Sequence, residues 1–249
     1  LTAFTEYPAQ MHELIEAICE YRMTYLRMLV EHIHPDCILS HDDWGTSNSL
    51  FMRPEIWREF YKEPYRRFYG YMKENGIIAM HHADSYCAPI ILDMAEIGIQ
   101  IWQGVLPEND IPVLQEELQG RMVLMGGVGA EIDRADVSEE EARAYVSALL
   151  EECCPRGHFI PCITYGLAGT IFKQLDPWID DEIEKYNQKL HLPNYRPAAP
   201  VRRTRKVQAA APEVKEEVKE ETGNILEQIC RTQKKGQAKK LLSLCEEAI

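Results

Sequence analysis

Short apolar runs alternate with amphipathic segments along the first 190 residues of the chain. A short apolar run bounded by polar or turn-forming residues predicts a buried β-strand, whereas apolar positions that recur every three or four residues predict a helix. The predicted strands are 37–39, 77–80, 99–102, 122–125 and 159–163. The predicted helices are 8–34, 54–75, 90–97, 110–118, 138–153 and 176–189. This alternation is typical of βα units in a parallel sheet.

Every predicted strand ends in polar or glycine-rich residues, and parallel βα folds carry their chemistry at the C-terminal ends of the strands. Five units are too few for a closed eight-stranded barrel. Either the sheet is open or about three N-terminal units are missing, and the start at Leu1 rather than Met favours the second alternative. We therefore expect an α/β fold of the (β/α)8 TIM-barrel type, incomplete, with about five C-terminal units present.

The last quarter of the chain has a different composition from the predicted barrel portion, residues 1–195. Residues 196–222 combine prolines, alanines, a basic block and a Glu/Lys run with almost no large apolar residues, which predicts a flexible linker. Residues 223–249 have apolar positions at helical spacing on both sides of Gly236, which predicts a short helical hairpin. Such a hairpin cannot bury its apolar stripe alone, so we expect it to begin another domain or to dock elsewhere.

Charge is distributed unevenly along the sequence. Residues 1–195 carry 15 basic and 32 acidic groups, a net charge of −17, whereas residues 196–249 carry 12 basic and 8 acidic groups, a net charge of +4. A body this acidic lacks the basic surface that phosphate backbones require, so we expect no nucleic-acid partner. The basic tail could still contact the body or a partner electrostatically.

The sequence contains no run of 18 apolar residues, so we expect no membrane-spanning helix. Its first residues include neither a basic nor an apolar segment of the kind that forms a signal peptide. The eight cysteines show no compact repeating spacing. We therefore expect a cytoplasmic protein in which these cysteines are reduced thiols, some packed in the core and some free to bind metal.

The strongest candidate site follows the second predicted strand and continues at the fifth. Imidazole, thiolate and carboxylate groups, the ligands that Zn²⁺ prefers, occur at His82, Asp84, Cys87 and Cys162. If both strand ends lie at one rim, His82 and Cys162 can bind one ion, with Asp84 or Cys87 as the third ligand and an open position for substrate. The alternative is that His81 and His82 are loop residues. In that case the thiols of Cys87 and Cys162 are packed in the core.

A second candidate cluster follows the first predicted strand, at His41, Asp42, Asp43 and Trp44. Adjacent carboxylates at a strand end can bind a substrate cation or act as a base. The alternative is that one of the two carboxylates caps the following turn. Trp44, followed by Gly45, suggests the floor of a pocket, and His41 is a further candidate for substrate binding.

Weaker candidates lie after the other strands. Gln103 and residues 108–110 follow the third strand and could contact substrate, and Tyr165 follows Cys162 and could line the same mouth. The glycine-rich run 126–129 could let the backbone approach a ligand, although such a run more often turns the chain.

Taken in order, these motifs resemble the uroporphyrinogen decarboxylase superfamily, and within it the cobalamin-dependent methyltransferase branch. The similar stretches are 41–46, 53–60, 82–84 with 89–98, 126–128 and 159–162, within roughly residues 5–190. The resemblance implies a (β/α)8 barrel of which these units are the C-terminal five. Residues 225–229 and 236–240 are similar to the start of the helical cap of corrinoid-binding proteins. This implies a gene that fuses a methyltransferase to its own corrinoid carrier.

The methyltransferase branch implies a zinc ion held by a His-x-Cys pair and a later Cys. In this chain those positions are His82, Asp84 and Cys162, so an Asp stands where the family pattern has a Cys. The implied activity is methyl transfer between a small methylated substrate or thiol and cobalamin on a corrinoid-binding protein or domain. Asp42 and Asp43 would then be catalytic, and would orient the substrate or donate a proton to the leaving group.

The sequence leaves two other functions open. One is decarboxylation of uroporphyrinogen III, the superfamily's namesake reaction, which would need arginines to bind the propionate groups of the substrate. The other is a barrel without catalytic activity that only docks a corrinoid module. The acidic body and the cluster of His and Cys residues favour the methyltransferase.

Overall fold

The computed structural model of the protein describes residues 1–163 and 174–190. In these residues five strands form one parallel sheet in the order β1-β2-β3-β4-β5. The strands are β1 (Cys37–His41), β2 (Ile78–His82), β3 (Ile101–Val105), β4 (Val123–Val128) and β5 (Phe159–Ile163). The α-helices are α1 (Ala3–Glu6), α2 (Pro8–Ile33), α3 (Pro54–Phe60), α4 (Lys62–Glu74), α5 (Ile91–Glu96), α6 (Ile111–Leu118), α7 (Glu139–Cys153) and α8 (Leu175–Lys189). Short 3₁₀ turns lie at Ala88–Ile90, Pro107–Asn109, Ala130–Ile132 and Cys154–Arg156.

This architecture confirms the predicted α/β fold with alternating strands and helices. The predicted linker 196–222 and hairpin 223–249 lie outside the described residues, and the domain boundaries stay predictions. Among the residues that the structure describes, no helix is both long enough and apolar enough to cross a membrane.

The helix predicted over 54–75 is divided into α3 and α4 at Tyr61. Pro64 explains the division, because it has no N–H to donate to the carbonyl of Phe60 and its ring crowds that same carbonyl. The chain therefore turns between Phe60 and Lys62. As a result α3 and α4 pack as two short helices, and Trp57, Tyr65 and other aromatic side chains are buried beside the sheet.

The first four strands extend past the C-terminal ends of the apolar runs that predicted them, whereas β5 has the predicted bounds. β1 and β2 include His41 and His82, and β4 continues through Gly126 and Gly127, where a turn was predicted. Gly126 has a φ of +153° and lies so close to β3 that a Cβ would be 2.5 Å from the carbonyl oxygen of Val105. The glycines therefore serve close packing of strands, and the polar residues at the strand ends belong to the hydrogen-bonded ladder.

One face of the sheet is buried beneath the helices. Ala79, Trp102 and Leu124 are fully buried and share a core with side chains of α4, α5 and α6. On the opposite face Leu39 and Ile160 keep 54% and 42% of their surface exposed. Since side chains alternate between faces along a strand, each residue of a strand is assigned to the helix-covered face or to the open face by its register.

The N-terminus of α7 gives a direct test of the local structure. Residues 138–141 have the Ser-x-x-Glu sequence of a capping box, and the hydroxyl of Ser138 accepts a hydrogen bond of 3.1 Å from the backbone N–H of Glu141. Ser138→Ala is expected to lower the free energy of unfolding by about 1 kcal/mol, measured by urea denaturation. Ser138→Asp keeps an acceptor at this position and should retain the stability. Equal stability of the alanine variant and the wild-type protein would contradict a role for the cap.

Candidate active site

Three side chains lie next to one another on β1, β2 and β3: His41 and His82 end their strands, and Gln103 is the middle residue of β3. In the register of the sheet His41 pairs with His82, and His82 pairs with Gln103. Paired residues of neighbouring parallel strands point to the same face, so all three side chains lie on the open face. The imidazole rings of His41 and His82 meet edge to face with their centroids 4.4 Å apart.

Asp43 completes a group of possible metal ligands. Its Oδ2 lies 3.4 Å from Nε2 of His41, and its Oδ1 accepts a hydrogen bond of 3.3 Å from the backbone N–H of Asp84. Within the described ranges, His41, Asp43 and His82 form the group whose ligand atoms all lie within 4.8 Å of one another. Two imidazoles and one carboxylate are a donor set that fits Zn²⁺.

Gln103 determines which nitrogen of His82 is free. Its side-chain oxygen contacts Nδ1 of His82, and because an amide oxygen only accepts, Nδ1 carries the proton. The lone pair of Nε2 is then available to bind a metal ion. Metal-ligating histidines commonly donate their other ring N–H to an acceptor in this way. Gln103, predicted as a substrate contact, is therefore placed where it orients His82.

The carboxylates of Asp42 and Asp43 have different partners, although they are adjacent in the chain. The carboxylate of Asp42 accepts a hydrogen bond from the hydroxyl of the buried Tyr65 in α4. Arg22 of α2 donates to the same hydroxyl at 3.2 Å and to Oγ of Ser40 at 2.5 Å. Burial, and next the charge of Asp42, raise the pKa of Tyr65 well above its usual value, so the phenol stays protonated and donates to Asp42.

Trp44 lies within an aromatic cluster in the core. Only 4% of its surface is exposed, and its ring stacks on His81 with centroids 4.0 Å apart. His81 is fully buried, and its Nδ1 lies 2.6 Å from the hydroxyl oxygen of Tyr69. Burial lowers the pKa of His81 to about 3, so this histidine is neutral. His81 is thus a core residue, and substrate contact by Trp44 stays a prediction.

The other predicted zinc ligands are more widely spread. Cys87 is fully buried in the core, where burial raises the pKa of its thiol. Cys162 is half-buried on β5, on the same face as His82 by register but three strands away, and burial raises its pKa to about 11. Asp84 lies beside Asp43, and partial burial, followed by the charge of Asp43, raises the pKa of its carboxyl group. The ligand roles of these three residues stay predictions, and Tyr165 lies outside the described residues.

Sequence reasoning missed Tyr65, Arg22 and the structural role of Asn109. Tyr65 and Arg22 are helical residues whose contact with Asp42 depends on packing of two helices on the sheet, and nothing in their local sequence indicates it. Asn109 was named among possible substrate contacts, but it is 2% exposed. Its side chain bonds to the backbone of the loop that follows β2, so it holds that loop in place.

Comparison with known proteins identifies the family of this chain. The family Uroporphyrinogen decarboxylase (URO-D) matches the chain over residues 1–167, which include all five strands. This chain belongs to the uroporphyrinogen decarboxylase family. That assignment confirms the superfamily named from the motifs, whereas the cobalamin-dependent branch and the fusion to a carrier stay predictions.

One solved structure has a fold similar to that of this chain. The methyltransferase from Methanosarcina mazei has a TM-score of 0.53 and 20% sequence identity with this chain, and the alignment covers 68% of this chain and 47% of that one. The chain thus spans about half the length of the structure that it matches. At this identity the likeness supports the fold. A comparison with curated proteins finds no match.

Proposed function

We propose that the chain is the barrel portion of a zinc-dependent methyltransferase of the uroporphyrinogen decarboxylase family. In this proposal it moves a methyl group between a small methylated substrate or thiol and cobalamin on a corrinoid-binding protein or domain. The proposal depends on the group of His41, Asp43 and His82 at the C-terminal ends of β1 and β2. Two imidazoles and a carboxylate are ligands that fit Zn²⁺. A methyltransferase with a similar fold adds support.

In this proposal, some side chains at the C-terminal ends of β1 and β2 bind the metal ion and others orient the substrate. Zinc would bind the heteroatom of the substrate, and there would lower the pKa of a thiol or polarise a bond to a methyl group. His82, oriented by Gln103, anchors that site at the end of β2. Methyl transfer requires donor and acceptor to be held in line, so the fixed strand-end positions of His41 and His82 suit this chemistry.

Asp42 is the candidate for proton handling beside the metal site. Its carboxylate is held by Tyr65, which in turn accepts from Arg22, and its backbone N–H donates to the carbonyl of His82 at 3.2 Å. Asp42 is therefore adjacent in the chain to the proposed ligand Asp43, but its carboxylate has a hydrogen-bond partner of its own. We infer that Asp42 orients the substrate or gives a proton to the leaving group, as the motif predicts.

The charge of the residues at the C-terminal ends of β1 and β2 favours methyl transfer over decarboxylation of uroporphyrinogen III. That substrate carries propionate carboxylates, which need cationic partners, whereas Asp42, Asp43 and Asp84 make the rim of β1 and β2 acidic. Arg22, the cation bonded nearby, is directed at Tyr65 and Ser40. Like charges at close range would oppose binding of the substrate.

Methyl transfer can be tested on the full chain loaded with Zn²⁺. The assay follows the absorbance of methylcobalamin with small thiols, and of cob(I)alamin with methyl ethers, methylamines and methyl thioethers. Transfer by the wild-type chain is expected, and His82→Ala should reduce its rate by more than the 10–100-fold typical for loss of an outer-shell partner. His32→Ala, at an exposed histidine near the end of α2, is the matched control. Release of CO₂ from uroporphyrinogen III without methyl transfer would overturn the proposal.

A further inference from the structure

We propose that this chain binds its divalent metal ion through His41, Asp43 and His82, a ligand set different from the His-x-Cys pair and later Cys that the resemblance implies. The inference rests on the proposed function only for the presence of a metal at the mouth. The observation behind it is that three possible ligands lie close together. His41 ends β1, His82 ends β2, and Asp43 follows β1 two residues after His41.

The thiols predicted as ligands are badly placed for this ion. Zinc–ligand bonds of about 2.0–2.3 Å keep two donors of one tetrahedral ion within about 4 Å of each other. Cys162 lies on β5, three strands from His82 on β2, and its sulfur is not in the group of ligand atoms that lie within 4.8 Å of one another. Cys87 is fully buried among apolar side chains. The family's other thiol is absent, since Asp84 occupies its position.

The three proposed ligands need only small movements to bind one ion. Their ligand atoms already lie within 4.8 Å of one another, and His41 and Asp43 approach to 3.4 Å. The pairing of His41 with His82 in the parallel ladder fixes the two imidazoles side by side. The side chains of His41 and Asp43 are 65% and 36% exposed, so an ion and a substrate can reach them from solvent.

Gln103 gives independent support for His82 as a ligand. Its side-chain oxygen contacts Nδ1 of His82, and a neutral imidazole that donates from Nδ1 has its lone pair on Nε2. A second-sphere acceptor of this kind fixes both the tautomer and the orientation of a metal-binding histidine. Gln103 itself sits on β3 in register with His82, so the sheet fixes this contact as well.

The proposed set changes the charge of the site. Two neutral imidazoles and one carboxylate leave a net charge of +1 with Zn²⁺, whereas one imidazole and two thiolates leave none. Three protein ligands with an open fourth position are typical of catalytic rather than structural zinc sites. We therefore expect the open position to prefer an anionic donor, such as the thiolate of a small substrate.

Cobalt(II) is the probe that separates the two ligand sets, because a thiolate ligand adds sulfur-to-cobalt charge transfer in the near ultraviolet. The full chain is titrated with CoCl₂ and then with ZnCl₂ while visible and ultraviolet absorption are recorded. We expect cobalt binding with ligand-field bands and no charge-transfer band. His41→Ala, Asp43→Ala and His82→Ala should each weaken binding at least about 10-fold, and Gln103→Ala about 10–100-fold.

Cys162→Ser, Cys87→Ser and His32→Ala are the controls and should bind cobalt as the wild-type chain does. Circular dichroism checks that each variant is folded. A charge-transfer band that disappears in Cys162→Ser would overturn the proposal, and so would unchanged affinity in the folded His41→Ala and Asp43→Ala variants. If cobalt binds as expected but the zinc-loaded chain transfers no methyl group, the proposed function fails while this ligand set stands.

Discussion

Replacing Asn109 by alanine is expected to lower the free energy of unfolding by at least about 3 kcal/mol. The side-chain oxygen of Asn109 accepts from the backbone N–H groups of Cys87 and Ala88, at 2.8 and 3.0 Å. Its amide nitrogen donates to the carbonyls of Ser85 and Leu106, at 3.0 and 3.3 Å. The carbonyl of Leu106 also accepts from the backbone N–H of Asn109 at 3.1 Å, and alanine keeps that bond. Alanine would leave the other three backbone groups without this partner, and each buried unpaired group costs about 1–3 kcal/mol.

Urea denaturation of Asn109→Ala measures this loss, with Glu108→Ala as the matched control at an exposed neighbouring position. The control should stay within about 0.5 kcal/mol of the wild-type protein. Because Asn109 also holds the loop after β2, Asn109→Ala should weaken cobalt binding at the adjacent strand end. If both variants unfold at the same urea concentration, Asn109 does not hold the loop as described.

Replacing Trp102 by alanine should have an effect of similar size on the core under the helices. Trp102 is fully buried on β3, and its indole N–H donates to the carbonyl of Ala83 at 2.9 Å. Removing a buried aromatic side chain costs about 3–5 kcal/mol, because apolar contacts are lost and a cavity remains. At about 2–4 °C per kcal/mol for a domain of this size, the midpoint of thermal unfolding should fall by about 10 °C.

Trp102→Phe separates the two contributions of this residue. Phenylalanine keeps most of the buried apolar surface but cannot donate to Ala83, so we expect a loss of about 1–2 kcal/mol. Thermal unfolding followed by circular dichroism compares both variants with the wild-type protein. An alanine variant as stable as the phenylalanine variant would show that the packing of Trp102 contributes little.

The order of the strands and helices was predictable because it depends on local pattern. Each strand is a short apolar run buried between neighbours, and each is bounded by residues that favour turns. The cap at Ser138 was likewise readable from four consecutive residues. The ends of elements were less accurate: hydrogen bonding to a neighbouring strand extended β1 and β2 past their apolar runs, and Pro64 divided one predicted helix.

His81 and His82 show where a single sequence stops being informative. They are identical in type and adjacent, yet His81 is buried against Tyr69 and Trp44, whereas His82 lies on the open face beside His41. The difference follows from alternation along β2, which can be applied only once the strand is known to continue to His82. Asp42 and Asp43 are also identical in type and adjacent but have different partners. The carboxylate of Asp42 contacts Tyr65, and that of Asp43 contacts His41.

The sequence by itself determined the βα alternation, the placing of polar residues at the strand ends and the family of the chain, since these are properties of contiguous segments. Only the tertiary structure decided which side chains meet. The group of His41, Asp43 and His82 depends on the parallel register of β1 and β2, whose paired residues are 41 positions apart. No local pattern specifies such a register, because it is set by hydrogen bonds and packing between distant segments.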